Sequence, residues 1–403
     1  MSAAFLTRVR LKNYKSIAAC DVQLGPLTFL VGPNGAGKSN FLDGLHFVAD
    51  SLRSSLEHAL RDRGGINEVR RRSGGHPNHF GLRLEFSLPS GESGHYAFQI
   101  GARPRGGFEV QDEECTVHST DPLGVPSFYV KSGVVQSSTE PGPAAAADRL
   151  YLVSASGLPG FRPVYEALSR MGFYNLNPDR IRDLQSPAAG ELLARDGGNI
   201  TSVLAQLKRV NPSRKQRIEE YLAKVVPGVH GVDVKVIGPK ETLEFRQQVA
   251  GSKDPWRFLA ANMSDGTVRA LGILVALFQS GNGIAPRVPL VGIEEPEIAL
   301  HPAAAGLLLE GLREASQLTQ IVVTSHSPEF LDDENLDESS ILAVYAKGGS
   351  THIASLDAPG RQALKERLYT AGELLRMNQV RPDPSSAPEK IDKQLRLFDT
   401  ERT

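Results

Sequence analysis

Residues Gly32-Pro33-Asn34-Gly35-Ala36-Gly37-Lys38-Ser39 carry the spacing G-x-x-x-x-G-K-[ST]. Those residue types at that spacing can hold a polyphosphate. Backbone N–H groups converge on phosphate oxygens only where no side chain blocks the approach, which is the reason for Gly35 and Gly37. A helix starting beside Lys38 points its N-terminus at the anion. Lys38 is then placed for the β- and γ-phosphates, and the Ser39 hydroxyl for Mg²⁺. Gly32, Asn34 and Asn40 complete the segment. A Gly-rich turn can match such a pattern by accident. Here the flanks argue otherwise. Leu27 to Val31 is a continuous apolar run that reads as a buried strand. From Asn40 to about Leu60, Phe41, Leu42, Leu45, Val48, Leu52 and Leu56 recur at helical spacing. The ligand expected is ATP with Mg²⁺.

Three further segments could do chemistry on a phosphate. Val288 to Glu297 is an apolar strand ending in Glu294-Glu295-Pro296-Glu297. A carboxylate at the end of a parallel strand can hold Mg²⁺, and the next can orient water. Glu294 is assigned to the metal and Glu295 to the water. The bland alternative is an acidic turn. Met263-Ser264-Asp265-Gly266-Thr267 precedes an apolar-periodic helix, with Ser264 as its N-cap. It reads either as a second anion site or simply as a well-capped buried helix. Thr324-Ser325-His326-Ser327-Pro328 puts a histidine at a strand end, where it can meet a γ-phosphate or a water. A lone histidine is more often structural.

The elements that must position these residues follow from the rest of the chain. It has 403 residues, 45 Lys plus Arg, 46 Asp plus Glu and a net charge of -1, so any basic surface is local. Its two cysteines, Cys20 and Cys115, form no C-x-x-C pair. No apolar run approaches the ~20 residues of a bilayer span, and a cytoplasmic setting is expected. The spacing predicts an ATPase lobe at 1–60, a β-rich subdomain at 61–148 and a helical insertion at 149–230. The lobe returns at 231–380, with a closing helix over Arg361 to Met377, and a mobile tail covers 381–403. No repeat or long heptad run is present.

The order of these motifs resembles the ATP-binding cassette class, and within it the RecF/SMC-like ATPases, a group related to the ATPase heads of OLD-family proteins. Asn13-Tyr14-Lys15-Ser16-Ile17 resembles the N-F-[RK]-S segment of that group. Ile293 to Pro302 and Thr324 to Pro328 are similar to its acidic strand and histidine strand, and the likeness runs to Gly372-Glu373-Leu374-Leu375. The resemblance implies an α/β P-loop NTPase of the ABC-ATPase head type, with a β-rich and a helical insertion. It implies a head-to-tail homodimer in which Ser264, Asp265 and Gly266 act in trans, Glu295 as the catalytic carboxylate and His326 as the switch histidine. Gln185 is the candidate for the family's glutamine loop and hence for the metal. Asp265, Thr267, Glu294 and His301 depart from transporter cassettes, so a transporter subunit is disfavoured.

Two functions fit. One is an ATP-gated dimer in DNA repair or defence against foreign DNA, with Arg70 to Arg72, Lys208-Arg209, Arg214, Lys215 and Arg217 as candidate phosphate contacts. Those charges read more readily as solvated faces of a loop and helices. The other is an ATP-dependent regulator of a separate effector protein. No second acidic pattern follows Leu375, so no nuclease activity is expected of this chain alone.

Overall fold

The computed structural model describes residues 5–73, 77–104, 106–118, 125–280 and 288–399. The chain forms two compact units, one built from 3–171 with 334–403 and the other from 172–333.

The strands in chain order begin with β1 Leu6–Tyr14, β2 Ile17–Gln23, β3 Leu27–Val31 and β4 His79–Ser87. Then come β5 Ser93–Ala102, β6 Phe108–His118, β7 Ser127–Lys131, β8 Val134–Ser138 and β9 Gly172–Tyr174. The three strands β10 Val229–Ile237, β11 Lys240–Gln247 and β12 Trp256–Leu259 follow. The last are β13 Leu290–Glu294, β14 Gln320–Ser325, β15 Ile341–Lys347 and β16 Ser350–Ser355.

In the first unit the strands run β8-β7-β6-β5-β4-β1-β2-β16-β15-β3. β8 through β2 pair antiparallel, while β16 meets β2 and β15 meets β3 in parallel. Thr28 to Val31 of β3 are buried, as a continuous apolar run requires, and the strand ends at the Gly-rich loop. The helix Lys38–Arg53 buries Phe41, Leu42, Leu45, Phe47, Val48 and Leu52. The helical spacing continues past Arg53, but the helix does not. Ser55 takes an extended backbone and its hydroxyl accepts from the His58 N–H, capping a new helix at Leu56–Arg61. Behind the first helix, Tyr14 and Phe80 lie edge to face with centroids 5.7 Å apart, and Phe47 and Phe80 at 5.4 Å.

Two C-terminal expectations are corrected. The closing helix is two helices, Ala358–Lys365 and Ala371–Arg376. Arg367 has φ +54°, and Thr370 with Glu373 forms a capping box that starts the second. The far end of the expected mobile tail, as far as it is described, is packed. Leu395, Leu397 and Phe398 are buried against Ala19 and Ala97. A Cβ on Gly81 would lie 2.5 Å from Leu397 Cδ1, so the sheet face there is made of small residues that admit larger ones. Arg83 Nη1 donates to Leu397 O at 2.9 Å and stands 2.9 Å from Asp399 Oδ1. His95, Glu114 and Asp399 bring ligand-type atoms within 4.8 Å of one another, but Arg83 already supplies the cation there. Residues 400–403 of the expected tail lie outside the described residues.

The β-rich part contains one buried acid of consequence. Glu113 on β6 accepts from Tyr96 Oη at 2.9 Å and from the backbone N–H groups of Tyr151 and Leu152 at 2.5 and 2.8 Å. It thereby caps the helix Tyr151–Ala155. Burial pushes its carboxyl up from 4.5 to about 7, against the opposing pull of those donors. A raised folded-state value gives a stability contribution that is complete below the unfolded value and is lost as pH rises through the folded one. The group therefore favours the folded state at pH 5 relative to pH 8, by about 3 kcal/mol at most. Glu113→Gln is expected to flatten the stability profile across that window. Denaturant titrations at pH 5 and pH 8 check this, and equal pH dependence in both proteins would contradict it.

The second unit holds a parallel sheet ordered β14-β13-β9 and an antiparallel sheet β10-β11-β12. β13 and β14 are buried in line with their apolar runs. The helix Asp265–Phe278 is buried almost throughout. Ile200–Val210 and Pro212–Val225 are joined at Asn211, whose side chain accepts from the Arg214 N–H.

Candidate nucleotide and catalytic residues

In the first unit the Gly-rich loop is shaped by its surroundings. A Cβ on Gly32 would lie 2.0 Å from Val344 O. Gly37 has φ +102°, and its Cβ would lie 2.1 Å from Thr351 Oγ1. Gly35 has φ +75° and faces open space, with no atom within 4 Å of its Cβ position. The loop is thus closed on the protein side at Gly32 and Gly37 and open at Gly35. Lys38 is buried, and its Nζ donates to Gly32 O at 2.8 Å and Pro33 O at 3.1 Å, so the cation folds back over the loop. Asn34 and Ser39 are exposed. Asn40 Nδ2 donates to Ser16 Oγ at 2.6 Å, which ties the helix start to the β1–β2 turn.

In the second unit the acidic strand end is held by cations and hydroxyls. Glu294 closes β13, and Arg195 Nη2 donates to its Oε1 at 2.8 Å. Arg195 also lines a cavity of about 510 Å³ with Asn175, Leu176, Asn177, Pro178 and Asp196. Glu295 has φ +44°, a costly conformation for a non-glycine residue. Its N–H donates to Thr324 O at 3.0 Å and Thr324 Oγ1 at 3.2 Å. Its Oε1 lies 3.0 Å from His326 Nδ1. Glu297 Oε1 accepts from Ser325 Oγ at 2.7 Å and from the His326 N–H at 3.3 Å, fixing the histidine's backbone. Arg269 is buried and donates through Nη1 to Leu176 O at 3.0 Å and through Nη2 to Glu295 O at 3.1 Å. Burial pushes its pKa down while Glu297, Glu295 and Glu294 pull it up.

The structure thus brings Glu295 and His326 together. It also brings Arg195, Arg269 and Glu297 to the acidic strand end, residues to which the motifs assign no role. Arg269 carried one signal: a charge inside the apolar run Val268 to Phe278. Arg195 carried none, since its partner is 99 positions away.

Ser264 is exposed and caps the helix Asp265–Phe278, its Oγ accepting from the Thr267 N–H at 3.2 Å. Asp265 is exposed and pairs with Arg182. Gly266 packs against the next loop, where a Cβ would lie 2.4 Å from Ala299 O.

Gln185 is a correction. It is buried, its Nε2 donates to Arg180 O and Gly197 O, and its Oε1 accepts from Thr201 N and Thr201 Oγ1. An amide so committed to its own loop is not placed to hold a metal. Several residues of the basic runs have partners of their own. Arg71 Nη1 donates to Ser16 O and Ser350 Oγ, and Arg72 pairs with Glu68. Lys208 pairs with Asp233, Lys215 with Glu219, and Arg217 with Glu220 and Glu314. The donors expected for Mg²⁺, the Ser39 hydroxyl and the Glu294 carboxylate, are hard oxygens of the kind that ion takes. Arg195 occupies Oε1 of Glu294, so Mg²⁺ would be taken by its other carboxylate oxygen or would displace the guanidinium. Among the described residues no helix is long and apolar enough to cross a membrane.

The chain is 24% identical to the OLD nuclease of Thermus scotoductus over 342 residues, covering 81% of this chain and 60% of that protein. It is 37% identical over 54 residues to the DNA replication and repair protein RecF of Aliivibrio fischeri, covering 13% of this chain and 15% of that one. The chain therefore spans less than two thirds of the length of either relative. Among solved structures, an Smc head bound to the C-winged helix domain of ScpA superposes with a TM-score of 0.57 at 17% identity. That match covers 88% of this chain and 99% of the other, and it speaks for the fold. The family model described as "AAA domain, putative AbiEii toxin, Type IV TA system" matches residues 27–105 and 179–332. The chain belongs to that AAA-domain family, and its fold is that of a RecF/SMC-like P-loop ATPase head of the ABC type.

Proposed function

We propose that this chain binds and hydrolyses ATP and that ATP closes a head-to-tail dimer of it, acting in DNA repair or maintenance or in defence against foreign DNA. The observation that carries the reading is the pairing of Glu295 with His326 at 3.0 Å, on a residue held at φ +44°. A carboxylate held beside an imidazole, on a backbone kept at a costly φ, suits proton transfer from a water. In this reading the loop from Gly32 to Gly37, with Lys38 and Asn40, takes the triphosphate. Mg²⁺, held by Ser39 and Glu294, would neutralise charge on the phosphates. Glu295 accepts the proton of the attacking water, and His326 steadies Glu295. Ser264, Asp265 and Gly266 of a second copy would complete the site, which fits the exposure of Ser264 and Asp265 at a helix N-terminus.

A second reading has its own support. Arg71, Arg72, Lys208, Lys215 and Arg217, named as candidate phosphate contacts, are in ion pairs or loop contacts. An ATP-driven switch acting on a separate effector protein needs no such contacts. In either case a cytoplasmic setting is proposed.

The test is the mass of Glu295→Gln protein by light scattering, with and without ATP and Mg²⁺. A shift from monomer to dimer on adding both is expected. A monomer in both conditions would remove the trans role of Ser264.

A further inference from the structure

We propose that Thr351, far from the Gly-rich loop in sequence, is a positioning residue that aims the Gly37 N–H at the phosphate; the inference rests on the ATP-binding reading of that loop.

One peptide unit, Ala36–Gly37, decides where the Gly37 N–H points. Thr351 Oγ1 donates to Ala36 O at 2.9 Å. A trans peptide is planar, with its C=O and N–H pointing in opposite directions. Holding the Ala36 carbonyl towards Thr351 therefore turns the Gly37 N–H away from Thr351, to the side where an anion would bind. Without that bond the Ala36–Gly37 unit could rotate, because Gly37 at φ +102° has little steric preference of its own.

Thr351 is itself held. It is 1% exposed, and its N–H donates to Ser16 O at 2.9 Å. Its hydroxyl proton goes to Ala36 O, so towards Ser16 Oγ, 2.7 Å away, it must act as acceptor. Ser16 then donates to Thr351 and accepts from Asn40 Nδ2 at 2.6 Å. The relay runs one way: Asn40 to Ser16, Ser16 to Thr351, Thr351 to Ala36. Every hydroxyl in it donates once and accepts once, so the direction is determined. Arg71 Nη1 braces the same turn by donating to Ser16 O at 3.1 Å and Ser350 Oγ at 2.9 Å. The relay explains why residue 37 has no side chain, since Thr351 Oγ1 occupies the space a Cβ would need. It also gives the β15–β16 hairpin a function, because Thr351 stands in β16, paired with Ala346 of β15 and Ile17 of β2.

The test compares Thr351→Val, which keeps the shape and removes the hydroxyl, with Thr351→Ser, which keeps the hydroxyl. ATP affinity is measured by calorimetry on the full chain, together with the melting midpoint without nucleotide. Thr351→Val is expected to weaken ATP binding about tenfold, the scale of one well-placed hydrogen bond. Thr351→Ser is expected to restore wild-type affinity. Ser16→Ala, one step back in the relay, is expected to weaken binding in the same direction by less, and it decides the matter if Thr351→Val does not fold. Wild-type affinity in folded Thr351→Val, or in Ser16→Ala where Thr351→Val is unfolded, would overturn the role of Thr351 and leave the ATP site standing. A lower midpoint with unchanged affinity would reduce Thr351 to a structural residue and also overturn it. Absence of ATP binding by the wild-type protein would remove the reading of the loop itself.

Discussion

Glu295→Gln is expected to bind ATP with Mg²⁺ within about threefold of wild type while releasing phosphate about 10²–10⁴-fold more slowly, the usual contribution of a positioned general base. The substitution keeps volume and hydrogen-bonding reach but cannot take up a proton. The backbone geometry should survive it. The Glu295 N–H stays bonded to Thr324 O and Thr324 Oγ1, and Arg269 Nη2 still donates to its carbonyl. Among the described residues, the hydrogen-bond contact altered is that with His326 Nδ1 at 3.0 Å. Phosphate release under single-turnover conditions, set beside an equilibrium binding curve, checks both halves. Loss of binding together with turnover would make Glu295 a structural residue of the strand end. Normal turnover would assign water activation to another group.

Gly37→Ala is expected to abolish measurable nucleotide binding. The added Cβ would stand 2.1 Å from Thr351 Oγ1, 2.8 Å from Thr351 Cγ2 and 3.0 Å from Ser16 Oγ, on a residue at φ +102°. Backbone strain of about 1–3 kcal/mol for a left-handed alanine adds to that clash. Either the loop moves or the Asn40–Ser16–Thr351 relay breaks, and both misdirect the Gly37 N–H. Gly35→Ala is the informative companion. Its φ is also positive, at +75°, yet no atom lies within 4 Å of the new Cβ. Its effect on the empty protein should be strain alone, about 1 kcal/mol. Calorimetric ATP binding and thermal melting of the two variants separate these cases. Wild-type affinity in Gly37→Ala would show that the loop does not bind phosphate in the conformation it has here.

The sequence made legible what is encoded locally. An apolar strand, a Gly-rich loop and a helix with a 3.6-residue period lie next to one another, so the fold class and the loop could be read before any coordinates. The acidic strand and the Ser-His strand were each ambiguous alone, and their order in the chain is what tied them to one family. What stayed hidden depends on long-range contacts or on polar groups whose partners are remote. Arg195 meets Glu294, and Thr351 meets Ala36, across separations that no local pattern marks. Gln185 looked available because its loop is polar, yet the amide is the loop's own staple, satisfying Thr201, Arg180 and Gly197. Of the acidic partners of Lys208, Lys215 and Arg217, Glu219 and Glu220 stand one turn along the same helix, whereas Asp233 and Glu314 come from other elements that no local pattern marks. The segment after Pro382 looked loose because its composition is mixed. Three apolar side chains within five residues, Leu395, Leu397 and Phe398, were the signal that it packs.

The most direct test of the account is phosphate release from ATP by the purified wild-type chain in Mg²⁺, with Glu295→Gln prepared and assayed identically. Turnover that is removed by chelating the metal and absent from the variant is expected. No turnover by the wild-type chain at any protein concentration, or equal turnover in the two proteins, would contradict it.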